Sequence, residues 1–387
     1  MNPFVFHTPT RVYFGETSAA SCGDFIHDLG GSRVLLVSDA YLEKSGMLNP
    51  IIESITTATG NPPLLFTDVP SDSDIAVVNR ASAMARANKC DALVAVGGGS
   101  VIDTAKVVNI CLTFGGELME YQGLNIIDRP LLPLIAVPTT AGTGAEVSFV
   151  AMVKDHEEGK KLMFGSPYLA PNMAVLDPLL IVSLPAKLTA ATGIDAVTHG
   201  IECFVASGTN SVFTDALCLE ALRLLFEFLP QATADGNNLE ARGATLAASC
   251  MAGVAFTNSG VGITHALAHA LGAKYGTHHG MTNGVLLTHG MNFNLQATAG
   301  QYARIARFLY FSSSGDDLEQ AQILVDKVEG LLKELKLPRT LRELGIPELT
   351  ADNLKELVDM AGSDPAIMFN PKEASEDDLL QILKGAY

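Results

Sequence analysis

The sequence predicts an α/β domain built on a parallel sheet over residues 1–184, followed by an all-α domain over residues 185–387. Three observations carry this expectation. Apolar runs of strand length alternate with helical segments in the first half, the pattern of strands covered on both faces. Such runs vanish after "AVLDPLLIVSLPAKLTAATG", where long stretches with helical spacing take over. Finally, 387 residues are too many for one compact core.

In order along the chain, "RVLLVSDA" (33–40) reads as a strand with a helix from about Tyr41, and "PLLFTDV" (63–69) as the next strand. A helix follows with Ala76, Val77, Ala83, Met84 and Ala87 on its apolar side. "DALVAVGGGS" (91–100) and "PLLPLIAVPTTAGTGAE" (130–146) give the third and fourth strands. Pro185, just inside a helix start, marks the domain boundary. Beyond it, "TDALCLEALRLLFEFLP", "LEARGATLAASCMAGVAF" and "LEQAQILVDKVEGLLKELK" read as amphipathic or buried helices.

Composition excludes several function classes. A chain that is 48% apolar and 17% charged, without low-complexity tracts, folds throughout. Its net charge of −17, with no Lys/Arg cluster, argues against a nucleic-acid partner. No apolar run reaches membrane-span length, and "MNPFVFHTPTRVYFG" lacks a basic start followed by an apolar core, so a cytoplasmic protein without membrane association is expected. The six cysteines include no Cys-x-x-Cys pair, so buried, reduced thiols are expected rather than disulfides or a thiolate zinc site.

Two glycine-rich turns bear chemistry. In "VAVGGGSVIDTAK", Gly97, Gly98 and Gly99 lie between a strand and a helix, where the backbone can approach a ligand and Ser100 and the helix N-terminus offer N–H groups to an anion. Such a turn alone is more often a tight connection, and this one is not Gly-x-Gly-x-x-Gly. A second turn, "VPTTAGTGAE", places Thr139, Thr140 and Thr143 at the same carboxyl edge of the sheet, where ligands of open α/β sheets bind. Asp39 ends the first strand of the series, where its carboxylate suits a ribose diol as well as a helix N-cap. Three elements at one edge point to a dinucleotide, and Asp103, in the helix after the first turn, is grouped with them as a candidate contact.

"GITHALAHALGAKYGTHHG" (262–280) holds four of the chain's nine histidines. His265 and His269 share a helix face at i,i+4, and His278 and His279 open the next segment. Upstream, "AATGIDAVTHGIE" sets Asp195 and His199 at i,i+4. Any one of these is ordinarily a satisfied core residue or a local hydrogen bond. Together, one carboxylate and three imidazoles form a set that suits a divalent transition metal, Fe²⁺ or Zn²⁺ first.

With "VGGGSVIDTAK" and "VPTTAGTGAEV", the run from Asp195-x-x-x-His199 to "ITHALAHALGAKYGTHHGMTNGVLLTH" resembles the iron-dependent (group III) alcohol dehydrogenase family. The resemblance extends from "PTRVYFG" (9–15) to "FNPKEASEDDLLQILKGAY". It implies a dehydroquinate-synthase-like fold with the active site in the cleft between the domains. It also implies metal ligands at Asp195, His199, His265 and His279, with His269 beside the metal but not bound to it. Ser148 and Lys161 match cofactor-contact positions, and Phe149, Val150, Phe256 and Val261 match positions near the alcohol. The chain departs from many relatives in carrying "VPSDSD" (69–74) for a Pro-Asn-Pro run, and from several diol-handling ones in the apolar Val150.

The activity implied is hydride transfer between a small primary alcohol, or its aldehyde, and NAD, with the alkoxide held by Fe²⁺ or Zn²⁺ and His269 relaying the proton. A homodimer or higher homo-oligomer is expected. A glycerol- or diol-type dehydrogenase on the same fold is the alternative. A synthase acting on a polyanionic sugar phosphate is disfavoured, since Lys274 is the only Lys or Arg between residues 250 and 290. The remaining alternative is a non-catalytic metal- or NAD-binding redox sensor; a metal-binding module alone leaves the two cofactor turns without a purpose.

Overall fold

The computed structural model describes residues 3–155, 160–312 and 314–387. The chain forms two compact units, Thr8–Leu184 and a helical unit of Pro185–Tyr387 joined by the N-terminal segment that ends at His7.

The first unit contains strands β1 (Arg11–Phe14), β2 (Val34–Val37), β3 (Leu64–Phe66), β4 (Ala92–Gly97), β5 (Gly123–Leu124), β6 (Leu134–Pro138), β7 (Val150–Asp155), β8 (Lys160–Gly165) and β9 (Met173–Leu176). Six of them form a parallel sheet in the order β1-β9-β6-β4-β2-β3. Helices α1 (Cys22–Asp28), α2 (Ala40–Ser45), α3 (Asn49–Thr59), α4 (Ile75–Ala87) and α5 (Gly99–Phe114) connect the strands. Alternate residues of the inner strands enter two different cores. Leu35, Val37, Leu93, Ala95, Leu134 and Ala136 pack with Val78, Ala81 and Ile102 of α4 and α5. Leu36, Val94, Val96, Ile135 and Val137 pack with Ile26, Ile51 and Ile55 of α1 and α3. Burial on both faces is why these strands read as unbroken apolar runs.

Three elements were not foreseen. Strand β1 lies at the sheet edge with all four residues exposed, so it lacks the apolar signature of its neighbours. Strand β9 is a four-residue segment between β1 and β6. A separate small sheet, β5-β8-β7, contains an antiparallel pairing from Val150↔Gly165 to Asp155↔Lys160.

The helical unit comprises α6 (Ala186–Val205), α7 (Val212–Ala234), α8 (Leu239–Ser259), α9 (Ile263–Tyr275), α10 (His279–Asn294), α11 (Ala299–Phe308), α12 (Asp317–Glu334), α13 (Ala351–Gly362) and α14 (Glu376–Ala386). Helix α6 is buried along nearly its whole length and packs on α7, α8 and α10. Gly193 and Gly200 let α7 close on it, since a Cβ at either would meet Leu229 at 2.2 Å or Leu222 at 3.0 Å. Pro185 is the N-cap of α6. Phe4, Phe6 and His7, which the sequence pattern places in the first domain, make contacts in this unit. Phe4 and Phe6 pack on Phe213, and His7 N–H donates to Asn258. Two phenylalanines find an aromatic partner there, which outweighs proximity along the chain.

Among the described residues no single helix is long and apolar enough to cross a membrane. The cysteines are free thiols, buried except for half-buried Cys90.

Candidate metal centre and cofactor turn

Helix α6 delivers Asp195 and His199, one turn apart and both buried. A 100° bend separates α8 from α9, and Gly260 makes it possible with φ +83. Helix α9 then carries His265 and His269, ends at left-handed Gly276, and α10 starts at His279. Gly280 permits the close approach of α10 to α6, because a Cβ there would lie 2.0 Å from the Ala191 carbonyl oxygen.

This packing brings one ligand atom each from Asp195, His265 and His279 within 4.8 Å of one another. Asp195 Oδ1 lies 3.7 Å from His265 Nε2 and 3.4 Å from His279 Nε2. Asn283, one turn after His279, donates from Nδ2 to Asp195 Oδ1 at 2.7 Å and sits 3.2 Å from both imidazole nitrogens. Three acceptors thus converge on one electropositive group, and a carboxylate with two imidazoles is a donor set that fits a divalent transition metal. The His199 ring stacks on those of His265 and Phe256, each with centroids 4.6 Å apart. His269 stands beside the set, its ring nearly parallel to that of His279 at 5.4 Å. His278 is exposed.

The electrostatics suit a cation. Burial pushes the Asp195 carboxyl up, but the His279, His199 and His265 rings and the Asn283 hydrogen bond overcome this and hold it at about 2. Glu202, which sequence reasoning missed, is buried and accepts from Gly262 N at 3.0 Å, Thr264 N at 2.7 Å and His265 Nδ1 at 2.6 Å. It therefore caps the start of α9 and fixes His265 with Nδ1–H outward and Nε2 free to act as a ligand. Burial opposes ionisation of Glu202, yet these donors hold it below the usual carboxylate range. Burial likewise disfavours the charged form of His265, but Glu202 and Asp195 raise it above the ordinary value. We expect Glu202→Gln to weaken metal binding by about 10–100-fold with little change in Tm. Competition against a chelator reads this directly, and an unchanged affinity would show that Glu202 serves α9 alone.

At the sheet edge, a Cβ on Gly97 would lie 2.6 Å from Val101 Cβ, and one on Gly99 would lie 2.9 Å from Thr143 Cγ2. A Cβ on Gly98 would touch Thr140 at 3.4 Å, and buried Thr139 donates its N–H to Gly97 O at 3.0 Å. The two predicted turns thus pack against each other at adjacent strand ends. Thr143 Oγ1 accepts from Ala145 N, and Ser100 Oγ donates to Ser71 O. Helix α5 has Gly98 as its N-cap and so no side-chain cap, whereas Asp39 caps α2 and Asp74 caps α4. Its first N–H groups are therefore placed for an anion, and the turn fits a dinucleotide pyrophosphate.

Three predicted cofactor contacts have protein partners. Ser148 receives Lys106 Nζ on both its carbonyl and Oγ, at 2.9 Å, and Val150 O takes a third bond at 2.9 Å. Asp103 Oδ2 accepts from Met152 N at 3.0 Å, and Lys161 Nζ lies 3.4 Å from Asp72 Oδ1. Lys106 is fully buried, which lowers it to about 8 although Asp103 and Glu146 oppose the shift. It pins the start of β7 to α5. A lysine amid the apolar positions Val101, Ile102, Ala105 and Val108 was the available signal for it. Phe149 and Val150 stand at the head of β7, and Phe256 and Val261 flank the end of α8, all partly buried.

Residues 9–178 match the family model "Iron-containing alcohol dehydrogenase", and residues 189–387 match "Fe-containing alcohol dehydrogenase family, C-terminal". An NAD-dependent methanol dehydrogenase of Bacillus methanolicus is 35% identical over 382 residues, 98% of this chain and 99% of the relative. A 1,3-propanediol dehydrogenase of Klebsiella pneumoniae is 35% identical over 99% of both chains. Among solved structures, a 1,3-propanediol oxidoreductase superposes with a TM-score of 0.96 at 34% identity, covering 100% of both chains. An alcohol dehydrogenase from Oenococcus oeni gives 0.95 at 29%, also over 100% of both. Two family models thus cover nearly the whole chain, full-length dehydrogenases match it at 35% identity, and the protein belongs to the iron-containing alcohol dehydrogenase family.

Proposed function

We propose that this enzyme interconverts small primary alcohols and their aldehydes with NAD(H), using Fe²⁺, or Zn²⁺ in its place, held by Asp195, His199, His265 and His279. The convergence of Asp195, His265 and His279 around the Asn283 amide carries this reading. The metal, when bound, supplies Lewis acidity that lowers the pKa of the alcohol, and NAD supplies the hydride acceptor. The protein's own part is orientation and proton handling. Asp195 brings a negative charge to the cation, Glu202 locks His265, and His269 takes up the alcohol proton. Gly97, Gly98, Gly99, Ser100, Thr139, Thr140 and Thr143 shape the dinucleotide turn. Methanol and 1,3-propanediol dehydrogenases among the relatives support a small alcohol as substrate.

The metal-bearing unit also bears on which alcohol is used. Phe256, stacked on His199, and nearby Val261 are apolar and offer no partner to a second hydroxyl close to the reacting carbon. Burying an unpartnered hydroxyl costs about 1–3 kcal/mol. With anaerobically purified, metal-loaded enzyme, kcat/KM for 1-propanol is therefore expected to exceed that for 1,2-propanediol by about 5–150-fold. A higher value for the vicinal diol would refute the apolar surroundings as the determinant.

A further inference from the structure

We propose that Asp364 is a positioning residue for proton transfer, holding His269 in the tautomer and orientation in which Nε2 accepts the alcohol proton. This rests on the reading of His269 as the relay. His269 Nδ1 lies 2.9 Å from Asp364 Oδ2. An ionised carboxylate only accepts, so the bond fixes the proton on Nδ1 and leaves the Nε2 lone pair open. When the alcohol O–H breaks and an Nε2–H bond forms, the positive charge on the ring is offset by the adjacent carboxylate. The proton then passes from the ring to water.

The carboxylate is delivered by a built device rather than by a loose surface contact. Its other oxygen, Oδ1, accepts from Ala366 N at 2.8 Å and caps the 3₁₀ turn Pro365–Phe369. Asn370, at the far end of that turn and buried, accepts from Ile263 N at 3.2 Å and exchanges 2.9 Å bonds with Asn294. The turn therefore grips α9 at its first residue through Asn370 and again at His269 through Asp364. Helix α13, immediately before the turn, is held to α9 by Leu357, Val358 and Ala361, which share a core with Ile263, Leu267 and Leu271.

The two histidines of α9 are thus served alike, each receiving a carboxylate on Nδ1. Glu202 reaches His265 from α6, and Asp364 reaches His269 from the turn. They differ in exposure. The His265 side chain is 2% exposed, as suits a fixed ligand, whereas that of His269 is 30% exposed, as suits exchange with water.

Asp364→Asn tests this, because asparagine caps the turn equally well but presents an N–H to Nδ1, which selects the opposite tautomer. We expect kcat to fall by about 10–100-fold with metal content, NAD(H) affinity and Tm unchanged. In ¹⁵N-histidine spectra of the Zn²⁺-loaded protein, the His269 proton should move from Nδ1 to Nε2. In a His269→Ala background the same substitution should change kcat no further. If His269→Ala loses turnover but Asp364→Asn does not, or if its cost persists without His269, Asp364 merely caps its turn. If His269→Ala keeps full turnover, the relay reading itself fails.

Discussion

His279→Ala is expected to leave the purified protein without bound metal and to lower kcat/KM by about 10³-fold or more, while His278→Ala retains both. The sequence sets these two histidines side by side, but their surroundings differ. His279 opens α10 with Nε2 3.4 Å from Asp195 Oδ1, held there by the glycine-mediated approach of Gly280 to Ala191. His278 is the exposed N-cap and makes no side-chain cap bond. Losing one ligand removes most of the Lewis acid's contribution, which is worth several kcal/mol, and about 4 kcal/mol corresponds to 10³ in rate. Metal analysis after anaerobic purification, with circular dichroism as the folding control, reads both variants. Metal loss in His278→Ala with retention in His279→Ala would mean that α10 begins one residue earlier than its backbone shows.

Local spacing announces the candidate cluster of Asp195, His265 and His279, with His199 one turn from Asp195. Asp195 and His199 fall on one face of α6, and His265 lies a loop away from His279, so local sequence almost assembles the group. What supports those residues was not legible. Glu202 meets His265 across 63 residues, Asn283 meets Asp195 across 88, and Asp364 meets His269 across 95. Glu202 lies one turn past His199 and Asn283 one turn past His279, yet nothing local says which distant group such a carboxylate or amide meets. Only the fold pairs it.

The same contrast runs through the sheet unit. Inner strands buried on both faces announce themselves as apolar runs, whereas the exposed edge strand β1 and the half-buried β7 do not. The glycine turn reads as a ligand cradle, and its residues also satisfy the packing of β4's end against that of β6. Ser148, Asp103 and Lys161 show how a polar residue near a turn can have protein partners that sequence does not reveal. Lys106 binds the first, hydrogen-bonding to its Oγ at 2.9 Å, and Asp72 pairs with the third.

Asp39 poses the same ambiguity in its sharpest form, and one substitution resolves it. Its Oδ1 accepts from Tyr41 N at 2.9 Å and Leu42 N at 3.0 Å, so it is an N-cap of α2. The cap uses one oxygen only. The carboxylate stands just beyond the carboxyl end of β2, the strand next to β4 and its glycine turn, where a dinucleotide's adenine ribose is expected. A carboxylate there would accept hydrogen bonds from the 2′- and 3′-hydroxyls of NAD and repel the 2′-phosphate of NADP. Two like charges about 5 Å apart repel by about 3 kcal/mol at an effective dielectric of about 20, less when screened by salt. Glu43, which accepts a bond from Thr67, adds to the negative field, and Lys44 is the nearest base in the helix. The unmodified enzyme should therefore prefer NAD(H) strongly. Asp39→Gly should lower KM for NADP⁺ by about 10–100-fold with little change in kcat, because removed repulsion alters binding more than hydride transfer. Glycine is itself a tolerable N-cap, costing only a few tenths of a kcal/mol, so Tm should hardly move. A variant whose cofactor preference stays put, or a parent enzyme that uses both cofactors equally, would leave Asp39 with the cap as its whole role.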